Sequence, residues 1–152
     1  MSFSFPFIFD KEFFIAADPS SVISFLKNYS EALPSFFPGL RRFEAQGPQV
    51  YLWEFESLSY GGRSLTISFT TRFEDCENRI LIHPLSSDSE TQLKGEWRVS
   101  PESEGCTIKL HFELEFSVPL PKLMKSMVAP LATTELSKLF ERYAKNLQNH
   151  FS

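Results

Sequence analysis

The chain has 152 residues, a net charge of −4, a sequence pI near 5.4, two cysteines and seventeen phenylalanines. That length suits one domain, residues 1–152, able to bury its own core without a metal or disulfide staple. The acidic balance excludes a broad nucleic-acid footprint, which needs clustered positive charge. The sequence has no signal-peptide pattern, no apolar run of about 18 residues and too few cysteines for a disulfide framework. A cytoplasmic location without a transmembrane segment is therefore expected, and a membrane would be met only transiently, through a local patch. Nothing in the sequence specifies an oligomeric state.

In chain order, residues 1–10 read MSFSFPFIFD, with Phe3, Phe5, Phe7 and Phe9 alternating with Ser4, Pro6 and Ile8. This aromatic extension reads as an edge segment over the core, Pro6 withholding an amide from further pairing. A first strand follows at 11–17. Asp18 then fits a helix N-cap and Pro19 the first helical position, where a missing amide costs nothing. Val22, Ile23, Phe25 and Leu26 give that helix its apolar side. Asn28 ends it, and Ser30 opens a second short helix that Pro34 and Pro38-Gly39 interrupt.

From residue 40 to 118 the chain alternates strands with turn signals. Strands are expected near 40–46, 49–59, 63–73, 79–85, 91–99 and 106–118. The breaks fall at Gly47-Pro48, Gly61-Gly62, 74–78, 86–89 and 101–105, short enough for antiparallel hairpins. Within the last strand Ile108, Leu110, Phe112, Leu114, Phe116 and Val118 share one face, and Lys109, His111, Glu113, Glu115 and Ser117 the other. Matching its apolar positions to Leu93, Gly95, Trp97 and Val99 allows one register that sets Glu96 opposite His111, Lys94 opposite Glu113 and Arg98 opposite Lys109. A shift of two residues sets Glu96 opposite Lys109 instead. Pro119 and Pro121 stop the ladder. Beyond Lys122 the period becomes helical, with Leu123, Met127, Leu131, Leu136, Leu139, Phe140, Tyr143 and Leu147 on one side and Pro130 inside the pattern. Strand and helix each need a partner for one apolar face, and a helix laid across a sheet supplies both.

The strand at 49–59 admits two readings. A two-residue turn at Gly61-Gly62 pairs Tyr60 with Arg63, Leu58 with Leu65, Glu56 with Ile67 and Glu54 with Phe69. That register turns Glu54 and Glu56 inward, where paired carboxylates have raised pKa values and suit general acid or base work. A bulge or longer loop flips the strand and buries Trp53 and Phe55 instead, the cheaper outcome. His83, ahead of Pro84, is a further candidate at a strand end. His111 lies on the charged parity. His83, His111 and His150 share no metal-ligand spacing with each other or with Cys76 and Cys106, so neither a metal nor any other cofactor is expected. No nucleophile elbow or phosphate-cradling glycine loop occurs.

Strand, two short helices, six antiparallel strands and a long C-terminal helix make an α+β order. It resembles the helix-grip fold of the START and Bet v 1-like superfamily, in its polyketide cyclase and lipid-transport-like branch. The resemblance rests on FFIAADPSSVISFLKN at 13–28 and GCTIKLHFELEFSVPLPKLMKSMV at 105–128. It implies a curved sheet of about seven strands around the long helix and an apolar cavity open near the two short helices. It carries no catalytic signature residue by residue. The wall of such a cavity would be Phe69, Trp97, Phe112, Phe116, Met124, Met127 and Leu131, joined by Trp53 and Phe55 in the flipped register. The implied function is binding or transport of a hydrophobic small molecule, such as a lipid, isoprenoid or aromatic compound, rather than catalysis. The alternatives are a cyclase or aromatase using Glu54, Glu56 or His83, and a co-chaperone-like interaction module with a filled core and an exposed apolar patch.

Overall fold

The computed structural model describes residues 3–56, 58–60, 63–65, 67–85 and 91–151. An antiparallel sheet of seven strands, in the order β1-β9-β8-β7-β6-β3-β2, packs one face against a long C-terminal helix. In chain order the elements are β1 (Phe3–Ile15), α1 (Pro19–Lys27), α2 (Tyr29–Ala32), β2 (Leu40–Gly47), β3 (Val50–Phe55), β4 (Leu58–Tyr60), β5 (Arg63–Leu65), β6 (Ser68–Asp75), β7 (Arg79–Pro84), β8 (Gln92–Glu102) and β9 (Gly105–Val118). A 3₁₀ turn (Lys122–Met124) and α3 (Lys125–His150) complete the chain. β4 and β5 form a separate pair. This is the expected α+β helix-grip arrangement. The anticipated turn at Gly61-Gly62 and the break at 86–89 lie outside the described residues.

The N-terminal aromatic stretch and the first strand are one element. Phe3, Phe5, Phe7 and Phe9 are buried opposite Val118, Phe116, Leu114 and Phe112 of β9, and the pairing runs on without interruption to Ile15 opposite Cys106. β1 is an edge strand, where Pro6 is tolerated because no further ladder needs its amide. The charged run Asp10-Lys11-Glu12 falls where the expected extension, 1–10, meets the expected strand, 11–17. It is strand nonetheless, and Lys11 reaches across to Glu141 of α3 at 3.1 Å.

Beside it, β8 and β9 pair in the first of the two registers: Lys94 with Glu113, Glu96 with His111 and Arg98 with Lys109. Gly95 stands opposite Phe112. A Cβ there would sit 2.5 Å from Phe112 Cδ1 and 2.8 Å from the His111 carbonyl oxygen, so the glycine is the notch that accepts the Phe112 ring. At the other edge, β2 pairs with β3 through two irregularities, between Leu40 and Arg42 and between Ala45 and Gly47.

The strand expected at 49–59 divides into β3 and β4, and both halves of the ambiguity hold. The hairpin pairs Tyr60 with Arg63 and Leu58 with Leu65, as a two-residue turn requires. Yet Trp53 pairs with Phe69 and Glu54 with Ser68. The chain thus has three residues between Glu54 and Leu58 but only two between Leu65 and Ser68, and this one extra residue reverses the parity. Trp53 and Phe55 are buried, and the Phe55 amide donates to the Ile67 carbonyl at 2.9 Å.

α1 starts as expected, with the Asp18 carboxylate accepting from the Ser21 amide at 3.2 Å and Pro19 in the first turn. α2 is anchored by Tyr29, whose hydroxyl donates to Asp75 at the end of β6. α3 buries Val128, Ala132, Leu136, Phe140, Tyr143, Ala144 and Leu147. Its N-terminal part departs from the predicted face. Stepping back by four from Leu136 leads to Ala132 and Val128. Leu131 and Met127 lie one residue off that stripe, about 100° around the helix, and are 53% and 61% exposed. Leu123, in the preceding turn, is 92% exposed. The smaller side chains of Ala132 and Val128 pack inward, and the larger Leu131 and Met127 are left outside. Pro130 sits within the continuous helix, where the Thr134 hydroxyl donates to its carbonyl at 3.0 Å. No helix among the described residues is long and apolar enough to cross a membrane.

Candidate functional site

The space between sheet and α3 is walled by aromatic rings. Trp53 and Phe55 on β3, Phe69 on β6, Trp97 on β8, and Phe112 and Phe116 on β9 all point inward. They meet Phe140 and Tyr143 of α3 and Phe37 from the segment after α2. Phe37 stacks on Tyr143 with centroids 4.3 Å apart and meets Phe55 at 5.3 Å, while Phe140 contacts Phe7, Phe9, Phe37 and Phe112. Offset and edge-on ring pairs at these distances are favourable beyond their buried area.

The polar groups inside this space are paired. Trp53 Nε1 donates to Thr71 Oγ1 and Trp97 Nε1 donates to Tyr143 Oη, both at 2.8 Å. Burial pushes the Tyr143 hydroxyl far above its ordinary pKa, so it stays protonated. Packing leaves a void of about 10 Å³ bounded by Phe55, Ile67, Phe69, Leu114, Leu136, Leu139 and Phe140. That is room for at most one water, and the lining offers it no hydrogen bond.

Outside the void lies a much larger groove of about 780 Å³, between the middle of α3 and the Pro38-Gly39 turn. Thr133, Thr134, Lys138 and Arg142 line it on the helix side, and Glu56 on the other. Leu139 borders both groove and void. Among the described residues it alone lines both, and so stands as a partition between them. Gly39, at φ 78°, takes the left-handed conformation that closes this turn, and its missing Cβ faces Leu139 Cδ1.

The titratable residues singled out from the sequence lie elsewhere. Glu54 turns outward, accepts from Arg41 Nε at 2.8 Å and Nη2 at 2.7 Å, and has Arg42 Nη1 at 3.8 Å. Glu56 is exposed on the groove rim. His83 pairs with Arg72 across the ladder and its Nε2 lies 2.8 Å from Glu74 Oε1. These three do not converge on the interior: the extra residue beyond β3 gives the inward positions to Trp53 and Phe55, and on β7 they belong to Ile80 and Ile82 rather than His83. Of the helix residues expected in the wall, Met124 is half-buried against the core, whereas Met127 and Leu131 face solvent. Sequence reasoning missed Phe37, Leu139, Phe140 and Tyr143 as site residues. The Phe36-Phe37 pair ahead of Pro38-Gly39 and the strict spacing of Leu136, Phe140, Tyr143 and Leu147 were the available signals. Among the described residues no three His, Cys, Asp or Glu side chains gather as a metal site.

The family model described as polyketide cyclase/dehydrase and lipid transport matches residues 6–148. This chain belongs to that family. Its fold is that of the START/Bet v 1-like superfamily. It is similar to the di-domain ARO/CYC protein StfQ of the steffimycin biosynthetic pathway (12% identity, TM-score 0.64), covering 96% of this chain and 50% of that one. The chain thus spans half the length of that relative. A START superfamily protein from Mycobacterium smegmatis is 20% identical over 95% of this chain and 96% of its own, with a TM-score of 0.63. Norcoclaurine synthase from Thalictrum flavum is 17% identical over 99% of both chains, with a TM-score of 0.59. At these identities the likeness is one of fold. No curated protein matches the chain.

Proposed function

We propose that this chain binds a hydrophobic small molecule between the sheet and α3, and that the groove beside Leu139 is its way in. The observation that carries the reading is the shared position of Leu139, one side chain thick between an open groove and an apolar void. A ligand enlarges the void by displacing Leu139 and easing α3 away from β3 and β6. Each methylene it buries contributes about 0.8 kcal/mol towards that repacking. The aromatic wall fits a lipid, isoprenoid or aromatic compound, in keeping with the family's lipid-transport and cyclase members. Acid–base chemistry on such a ligand would fall to Tyr143, the protonated hydroxyl inside, since Glu54, Glu56 and His83 face outward.

Native mass spectrometry before and after organic extraction tests for a resident ligand. Titration with the apolar fluorophore N-phenylnaphthylamine tests for uptake, because the buried Trp53 and Trp97 would excite it by energy transfer. Leu139→Ala is expected to take up the fluorophore faster than the parent and Leu139→Trp more slowly, with circular dichroism unchanged. If extraction releases nothing and neither the parent nor Leu139→Ala shows energy transfer, the reading fails.

A further inference from the structure

We propose that the start of the C-terminal helix is a docking surface for an anionic lipid membrane. Leu123, Met127 and Leu131 are the largest run of exposed apolar side chains in the described chain, and they recur every four residues from the 3₁₀ turn into α3. Residues four apart on a helix are neighbours, so Met127 and Leu131 form a continuous stripe. The inward face of the same segment is already spent on Val128 and Ala132, so the core does not claim these three.

The charge around the stripe selects the occupant. Lys122 and Lys125 flank Leu123, both exposed, and neither has an ion-pair partner among the described residues. No aspartate or glutamate occurs from Ser117 to Thr134, in a chain whose net charge is −4. The first turn of α3 has no acidic residue and no side-chain cap, so its dipole adds to the local positive field. An apolar stripe rimmed by lysines at the head of a helix matches the interface of an anionic bilayer, where leucine and methionine sink among the acyl chains and lysine stems reach back to the headgroups. A protein partner is the poorer fit. Protein interfaces are depleted in lysine and anchored by tryptophan, tyrosine and arginine, none of which occurs between Ser117 and Thr134. This surface stands independently of the ligand reading above.

Co-sedimentation with vesicles of phosphatidylcholine, with and without phosphatidylserine, tests the proposal on the full chain. Binding is expected only to the phosphatidylserine vesicles, and it should weaken as salt rises. Lys122→Gln and Lys125→Gln should each lower partitioning roughly fivefold. The combined Leu123→Ser, Met127→Ser and Leu131→Ser variant should abolish it with the fold intact by circular dichroism. Leu123→Trp should give a blue-shifted emission with phosphatidylserine vesicles alone. The proposal is overturned if the parent fails to bind at low salt, binds neutral vesicles equally well, or binds unchanged in the triple serine variant. It is equally overturned if the parent binds no vesicle and instead forms a dimer that the triple variant disperses, which would make a second copy the occupant.

Discussion

The two buried tryptophans occupy equivalent inward positions yet hold different parts of the molecule together. Trp97, in the regular β8–β9 ladder, donates its indole hydrogen to Tyr143 and so ties the sheet to α3. Trp53, in the β3–β6 ladder that ends at the extra residue, donates to Thr71 and ties the sheet to itself. The void lies on the Trp53 side, between Phe55, Phe69 and Leu139. One half of the interior is therefore clamped to the helix by a buried hydrogen bond. Around the void the contact between sheet and helix is apolar among the described residues, and it can open without stranding a polar group there.

Removing either ring should produce the largest effects. Trp97→Ala and Trp53→Ala are each expected to cost about 3–5 kcal/mol in denaturant titrations, but hydrogen exchange should separate them. Trp97→Ala should raise exchange in α3 around Tyr143, and Trp53→Ala chiefly in β3 and β6. Equal exchange in α3 for both would erase the distinction. The hydrogen bonds alone give a sharper contrast. Tyr143→Phe and Thr71→Val each strand a buried indole N–H, at about 1–3 kcal/mol. Only Tyr143→Phe should loosen the helix, and only Thr71→Val should leave the rate of fluorophore uptake unchanged.

The smallest effect concerns the outer face of the clamped half. His111 Nδ1 lies 2.5 Å from Asp10 on β1 and Nε2 2.8 Å from Glu113, with Glu96 opposite on β8. Hydrogen bonds to Glu113 and Asp10 raise its pKa above the usual 6.5, and His111 in turn lowers that of Glu113. A raised folded-state value means that the histidine's contribution is fully present below its unfolded pKa and lost as pH rises through the folded one. The Glu113 contribution runs the other way, and is lost as pH falls below the carboxylate range. Attachment of β1 should therefore be firmest in mildly acidic solution and weaken slightly above neutrality, as read by thermal melts across pH. His111→Gln should flatten that profile, and an unchanged slope would remove the pair from the account.

The same contrast explains what the sequence could express. β8 and β9 alternate without a break, so their inner and outer faces were legible, but their charges allowed Glu96 to stand opposite either His111 or Lys109, and the structure selects His111. Period-two alternation in 49–59 stated that one face is aromatic and the other holds Glu54 and Glu56, but not where an extra residue would reverse them. That depends on how the β4–β5 hairpin joins the main sheet, a three-dimensional matter. The helix face was half legible. Leu136, Phe140, Tyr143 and Leu147 set the stripe, but size drew attention to Leu131 and Met127 where small Ala132 and Val128 pack. Leu139 as a partition was invisible, because its meaning arises only against Gly39, a hundred residues earlier.

The two rims of the sheet carry one more consequence. An open antiparallel sheet offers unpaired amides and carbonyls at each margin, an invitation to add strands from other molecules and grow into aggregates. Here β1 interrupts its margin with Pro6, and β2 is distorted twice along its length and studded with Arg41, Arg42 and Glu44. In a chain with seventeen phenylalanines, irregular hydrogen-bonding margins oppose fibre-like growth, while most of the rings are turned inward.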